Sequence, residues 1–209
     1  MGVTIHYRGR LADIGKIKIL CDELTQIAEK MDWAYNLLDE DWSIPADARL
    51  EHDERGAHIV GHLGLKGISF KPHPECESMS FFFSSDGKLC DPMGVVLVCE
   101  GSLNPEDAWI NVKTQFAGPE IHLWVVGMLK YLKEHYILDL EVNDEGEYWE
   151  TGNFEVLKEK MNFLNEKMDA ICGELSRVTG NHLERFSPEE LASMVEGLLQ
   201  AKFSCRDGE

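Results

Sequence analysis

Two segments of the chain share one order of hydrophobic patterns, and this order most constrains the fold. Residues 3–42 and 109–149 each read as a strand, an amphipathic helix, a second strand and then acidic residues followed by a tryptophan. At the start of the first segment, Val3, Ile5 and Tyr7 alternate with polar residues, as in a strand with one buried face. Helices in such segments typically cover one face of a mainly antiparallel sheet. The pattern predicts an α+β fold and is consistent with an internal duplication.

The helices and second strands of these segments follow from spacing. Apolar residues recur three or four positions apart over 14–31, with Asp13 placed to cap the helix, and again over 119–136, where Pro119 takes the first helical position. A strand is predicted over 137–142. Its alternation places one set of side chains inward, Leu138, Leu140 and Val142, and the other outward, Asp139 and Glu141.

The middle of the chain reads as an antiparallel meander. The polar stretch 43–56 is predicted to be an irregular loop, and 57–99 to be all strand. Met79, Phe81 and Phe83 form one face of a hairpin that turns at Asp86-Gly87. The apolar run "GVVLVCEG" is interpreted as a further short strand.

The last quarter of the chain predicts two helices. Apolar residues from Phe154 to Val178 step alternately by 3 and 4, the spacing of a helix that packs along another helix. A second helix begins at "SPEE", where Ser187 and Glu190 can form a capping box. We therefore expect a sheet domain over 1–150 and a helical hairpin over 151–209. The hairpin either packs on the same domain or forms a homodimer through one stripe: Leu157, Met161, Leu164 and Met168.

Charge limits the classes of partner. The formal net charge is -18, with 38 acidic residues against 20 Lys and Arg. Such a field repels phosphate backbones and anionic membranes, so we expect neither nucleic acid nor a membrane as partner. Basic partners would be attracted, although acidic surfaces also serve solubility. The chain shows no secretory signal at its start and no long apolar run, so a cytoplasmic location with reduced cysteines is predicted.

A metal site is one candidate for the chemistry. His73 and Cys76 stand two residues apart between prolines, and Cys90 could face them across the predicted hairpin. Imidazole and thiolate are zinc ligands, so these three could hold zinc, the one cofactor considered. A second close pair of ligands, typical of structural zinc, is missing from the sequence. The alternative is a proline-shaped turn in which the histidine and cysteine are incidental.

The outward face of the predicted strands is a second candidate. In the strand predicted over 109–116, alternation places Thr114 and Phe116 with the inward residues and Gln115 outward. Residues of both charge signs share the outward face, where they could bind a small polar ligand: His6, Arg8, Lys113, Gln115 and Glu141. The alternative is a solvated face with cross-strand salt pairs.

The two acid-tryptophan ends are a third candidate. Trp42, Glu147 and Trp149 could form a surface for a protein partner, since tryptophan is favoured at interaction hot spots. In the alternative, Asp144-Glu145-Gly146 closes a polar hairpin and the tryptophans pack over the sheet rim.

No P-loop, G-x-G-x-x-G or G-x-S-x-G pattern occurs. The sequence therefore favours a binding or regulatory module, acting through the polar sheet face or the acidic rim. Two alternatives remain: a small metal-dependent enzyme or zinc-binding protein using His73 and Cys76, and a structural homodimer.

Overall fold

The computed structural model describes residues 2–54, 56–179 and 186–203. The strands, numbered along the chain, are β1 (Thr4–Arg8), β2 (Tyr35–Asp39), β3 (Arg49–Asp53), β4 (Gly56–Val60), β5 (Lys66–Phe70), β6 (Met79–Phe83), β7 (Leu89–Cys90), β8 (Ile110–Lys113) and β9 (Glu141–Asp144). The helices are α1 (Ile17–Lys30), α2 (Pro92–Cys99), α3 (Pro119–His135), α4 (Tyr148–Thr151), α5 (Phe154–Thr179) and α6 (Pro188–Phe203). With 43% helix, 23% strand and antiparallel sheets, the predicted α+β class is confirmed.

The strands form three separate sheets. A three-stranded sheet has the order β8-β1-β9, a four-stranded sheet has the order β2-β5-β6-β7, and β3 pairs with β4 in a two-stranded sheet. Both β8 and β9 run antiparallel to β1, so they are parallel to each other, and α3 makes the crossover between them. β1 and β2, in contrast, belong to different sheets. The two segments with the same sequence order therefore pair their strands in different ways.

One hydrophobic core joins the two larger sheets to α1 and α3. Ile5 and Tyr7 on β1 and Phe70 on β5 are buried in it together with the inner faces of both helices. The Tyr7 hydroxyl donates to the Ser80 carbonyl oxygen at 2.9 Å and accepts from the Ser80 amide at 3.0 Å. This pair of hydrogen bonds ties the three-stranded sheet to β6 of the four-stranded sheet.

Three local predictions were wrong. Part of the stretch 43–56 is not a loop, because β3 and β4 pair as a hairpin with Asp53 opposite Gly56. In the run "GVVLVCEG", residues 94–99 are not a strand but belong to α2, because Asp91 caps that helix and Pro92 stands at its first position.

The third wrong prediction is the strand over 137–142. Leu138 was expected inward but is 67% exposed, whereas its neighbour Ile137 is buried. The strand starts only at Glu141, because the chain first turns after α3, with the amide of Leu140 donating to the carbonyl oxygen of Ile137.

The predicted C-terminal helices are present as α5 and α6. The chain divides into two compact units, Met1–Lys158 and Glu159–Glu209. The capping box of α6 is confirmed: the amide of Ser187 donates to Glu190 Oε2, and the amide of Glu190 donates to Ser187 Oγ. Leu157 and Met161 are buried, whereas the side chains of Leu164 and Met168 lie outside the described residues. The homodimer stays a prediction. Within the described ranges, no helix has the length and apolar character needed to cross a membrane.

Candidate functional site

A cavity of about 310 Å³ lies where loops and α2 meet one end of the four-stranded sheet. Its deep wall is formed by Leu65, Leu89 and Ile110, all of them buried. Half of the other residues around it are apolar: Trp42, Ile44, Pro45, Ala46, Leu63, Val95, Val98, Pro105, Ala108 and Trp109. A concave, mainly apolar space of this size lies at the lower end of the range for small-molecule sites, about 300–1,000 Å³.

Two of the residues that line the cavity are tryptophans, and the ring of each contacts a cation. Arg8 Cζ lies 4.4 Å from the ring centre of Trp109, and Lys66 Nζ lies 5.3 Å from that of Trp42. The cations are in turn held by carboxylates, since Arg8 donates to Glu141 at 2.7 Å and Lys66 to Asp39 at 2.5 Å. Cation–π contacts of this kind stabilise a ring by about 0.5–1 kcal/mol at exposed sites. The two indoles are therefore fixed by the surrounding sheets.

The charged groups at the cavity mouth already have partners in the chain. Asp86 accepts hydrogen bonds from Arg10 and Ser84. Burial alone would raise the pKa of Asp86, but these two donors lower it to about 2. Lys88 contacts the Pro105 carbonyl oxygen and lies 3.3 Å from Glu106 Oε1, and Asp91 caps α2. Because these charges are paired within the chain, what the cavity offers a ligand is mainly its apolar wall.

The three residues considered for zinc have different surroundings. His73 Nδ1 accepts the amide of Glu75 within its turn, Cys76 is buried in the core, and Cys90 lies in the cavity wall. Burial raises the pKa of the Cys76 thiol to about 11 and also raises that of Cys90, so both thiols are poor nucleophiles and ligands. Over residues 2–54, 56–179 and 186–203, no group of three His, Cys, Asp or Glu side chains is arranged to hold a metal ion.

The polar face of the three-stranded sheet carries cross-strand pairs. Arg8 stands opposite Glu141 and donates to it, while His6 Nδ1 lies 2.5 Å from Asn111 Oδ1. Lys113 Nζ lies over the ring of Phe116 at 5.2 Å. Gln115 was expected on this face but is buried, because its Oε1 accepts the amide of Val3 as the strand ends. The structure thus brings His6, Arg8, Lys113 and Glu141 onto one face but places Gln115 elsewhere.

The two acid-tryptophan ends have different surroundings. Trp42 lines the cavity, whereas Trp149 packs against the hydrophobic core and lies 5.6 Å from Lys130 Nζ on α3. Glu147 is exposed, adopts a left-handed conformation with φ 59° and precedes α4. The stretch after β9 is therefore the approach to a helix and not the polar turn of a hairpin, and Trp42 is the member of this group that reaches the cavity.

A buried polar chain that the sequence did not reveal connects β8, α3 and β9. Thr114 Oγ1 lies 2.8 Å from His122 Nδ1, and His122 Nε2 donates to Asp144 Oδ2 at 3.1 Å. Asp144 also accepts the amides of Gly146 at 2.7 Å and Trp149 at 2.9 Å. Burial would raise the pKa of Asp144, but the hydrogen bond and charge of His122 and these amides hold it below its ordinary value.

This chain has the order of groups found in hydroxyl–imidazole–carboxylate catalysis, but its position excludes that role here. Thr114 and His122 are 0% exposed, and neither lines the cavity. A nucleophile must touch its substrate. The chain is therefore a structural link, and its sequence signal is that His122 stands on the same helical stripe as the buried Val125, Leu129 and Leu132.

Comparisons with models of known protein families, with curated proteins and with solved structures found no match to this chain. We therefore infer a function from the geometry of the cavity and of the surface alone.

Proposed function

We propose that this chain is a binding module and that its cavity takes a small, neutral, mainly apolar molecule. The observation that carries the proposal is that two tryptophans line the cavity, Trp42 and Trp109, and that the ring of each contacts a cation which is itself paired with a carboxylate. Rigid aromatic walls lose little entropy when a ligand arrives, and large apolar contact supplies most of the affinity.

The charges around the cavity support a neutral ligand over a charged one. Asp86, Asp91 and Glu106 lie in the wall against a single lysine, Lys88, and the chain as a whole carries -18. An anion would be repelled by this field. A cation would have to displace Arg10 from Asp86 or Lys88 from Glu106, which costs interactions that already exist.

Apolar burial sets the expected strength of binding. At about 25 cal/mol per Å², a ligand that buries roughly 250 Å² of apolar surface gains about 6 kcal/mol. Part of this gain is lost to the restriction of the ligand on association. Dissociation constants from roughly tens of micromolar to about millimolar are therefore expected for simple aromatic compounds.

The test uses the neutral dye N-phenyl-1-naphthylamine, whose fluorescence rises in apolar surroundings. The full-length chain should give a saturable, one-to-one increase. Val98→Phe places a larger side chain into the cavity from α2. It should lower the affinity for the dye at least about tenfold, because the dye would lose most of its apolar contact. Met93→Phe is the matched control, because Met93 lies on the same helix, is exposed and is not part of the cavity wall.

Three results are informative. A loss of dye affinity in Val98→Phe alone supports the cavity as the site. Equal binding by both variants and the original chain would show that the dye binds elsewhere, and the proposal would fail. Equal loss in both variants would place the effect on α2 stability instead, and it would also count against the proposal.

A further inference from the structure

β2 is the outermost strand of the four-stranded sheet. It pairs with β5 on one side, and among the described residues no strand pairs with its other side. Its residues are almost all exposed, including the apolar Tyr35 and Leu37. An open strand edge presents a row of backbone donors and acceptors that can pair with another chain.

The register shows which groups face outward. Hydrogen bonds flank β2, from the amide of Lys71 to the oxygen of Ala34 and from the amide of Glu40 to the oxygen of Leu65. In an antiparallel pair the bonded residues alternate, so Asn36 and Leu38 also bond to β5. The backbone groups of the residues between them point away from the sheet. We call this set the β2 edge: Tyr35, Leu37 and Asp39.

Two apolar side chains of the β2 edge, Tyr35 and Leu37, lie on the same face of the sheet as buried core residues of β5. Tyr35 stands opposite Phe70 and Leu37 opposite Ile68, and directly opposite residues share one face of a sheet. Phe70 and Ile68 are buried, whereas Tyr35 is 40% and Leu37 49% exposed. An added strand with apolar residues at alternate positions would cover both.

The surroundings of the edge are acidic. The stretch from residue 29 to residue 41 contains one basic residue, Lys30, and five acidic ones: Glu29, Asp32, Asp39, Glu40 and Asp41. The side chain of Asp39 is 84% exposed even though Lys66 pairs with it. The charge thus favours a positively charged occupant.

We propose that the β2 edge binds an extended peptide segment of a partner protein, which adds a fifth strand and carries lysine or arginine opposite the acids. Main-chain hydrogen bonds would give affinity, and alternate side chains would give specificity. A second copy of this chain fits less well, because it would bring the same acidic stretch and a further net charge of -18 to the contact.

The probe is the peptide Lys-Thr-Lys-Thr-Val-Thr-Val with blocked ends, titrated into the full-length chain by calorimetry. Paired antiparallel, it places lysines opposite Asp41 and Asp39 and valines opposite Leu37 and Tyr35. Its matched control replaces both lysines by glutamate. We expect saturable binding of the lysine peptide, weaker at high salt, and at least about tenfold weaker binding of the glutamate peptide.

Backbone pairing is tested on both partners. Leu37→Pro removes an N–H that points away from β5, so the sheet keeps its bonds while the edge loses a donor. Leu37→Pro should lower the affinity for the peptide at least about tenfold, whereas Leu37→Val should bind the peptide as the original chain does. Methylating the amide of the peptide valine opposite Leu37 should produce the same loss with the original chain, which covers the case in which the proline variant fails to fold.

Other outcomes would overturn the inference. They are absence of binding at millimolar peptide, equal binding of the lysine and glutamate peptides, and unchanged binding after methylation. A chain that is dimeric in solution and becomes monomeric with Leu37→Pro would assign the edge to a second copy instead.

Discussion

Replacing Asp144 should destabilise the unit that contains residues 1–158. Asp144→Ala removes the acceptor of three donors: His122 Nε2 at 3.1 Å, the Gly146 amide at 2.7 Å and the Trp149 amide at 2.9 Å. A buried donor left unsatisfied costs about 1–3 kcal/mol, and breaking a buried pair from one side costs about 3–5 kcal/mol. We expect the free energy of unfolding to fall by about 3–5 kcal/mol.

Asp144→Asn is the matched variant. Its amide keeps the shape and one acceptor oxygen, and His122 can adopt the tautomer that accepts from the new amide group. Only one of the three donors then lacks an acceptor, so the expected loss is about 1–3 kcal/mol.

The assay is urea unfolding followed by tryptophan fluorescence. All five tryptophans lie between residues 33 and 149, so the signal reports on the unit Met1–Lys158 alone. A loss below about 1 kcal/mol in Asp144→Ala, or equal losses in both variants, would refute the structural role assigned to the buried chain.

The same carboxylate predicts a pH dependence. The folded-state pKa of Asp144 lies below its ordinary value, so the folded protein binds this proton less readily than the unfolded protein. The stability it contributes is therefore fully present above about pH 4 and is lost as the pH falls through the folded-state pKa. Unfolding of Asp144→Asn should depend less on pH below 4 than that of the original chain. Equal slopes would contradict the lowered pKa.

Three further substitutions should change the stability or the dye affinity in a stated direction. Gly67→Ala should lower the free energy of unfolding by at least about 2 kcal/mol, because φ is +146° and a Cβ would lie 2.0 Å from the Phe81 oxygen. Gly127→Ala should raise the free energy of unfolding by about 0.5–1 kcal/mol, since this exposed helical position has open space around it. Urea unfolding of both variants, followed by tryptophan fluorescence, tests these two expectations. Arg8→Gln should weaken the naphthylamine dye about threefold by freeing the ring of Trp109, with stability changed by less than about 1 kcal/mol. An unaltered dye affinity would show that the cation does not hold this wall.

Local structure could be predicted where one physical signal dominates. The alternation of Val3, Ile5 and Tyr7 gave β1, and the paired Ser187 and Glu190 gave the start of α6, because both depend on neighbours in the sequence. The run "GVVLVC" was misassigned because a short apolar run fits a buried strand and a buried helix equally well. The preceding Asp91-Pro92 was the deciding signal, a cap followed by the residue favoured at the first helical position.

The cavity could not be predicted, because its walls come from distant parts of the chain. Trp42 follows β2, and Trp109 precedes β8 in the other sheet. No periodicity links the two positions, and only the packing of the two sheets brings them to one space. Gln115 shows the same limit on a smaller scale: alternation placed it outward, but the strand ends at Lys113 and its side chain turns to the amide of Val3.

The two segments that share the order of strand, acids and tryptophan have different roles, because β9 and β2 pair in different sheets. β9 lies beside β1, so Asp144 meets α3 and becomes buried, and Trp149 packs on the core. β2 lies at the border of the other sheet, so Asp39 stays exposed and Trp42 reaches the cavity. Because Asp144 is buried and accepts its hydrogen bonds from within the chain, its carboxylate has no free acceptor to offer a ligand. Of the two ends, the one that follows β2 combines an open strand edge with exposed acids and a wall of the cavity, and for that reason both proposed binding sites lie there.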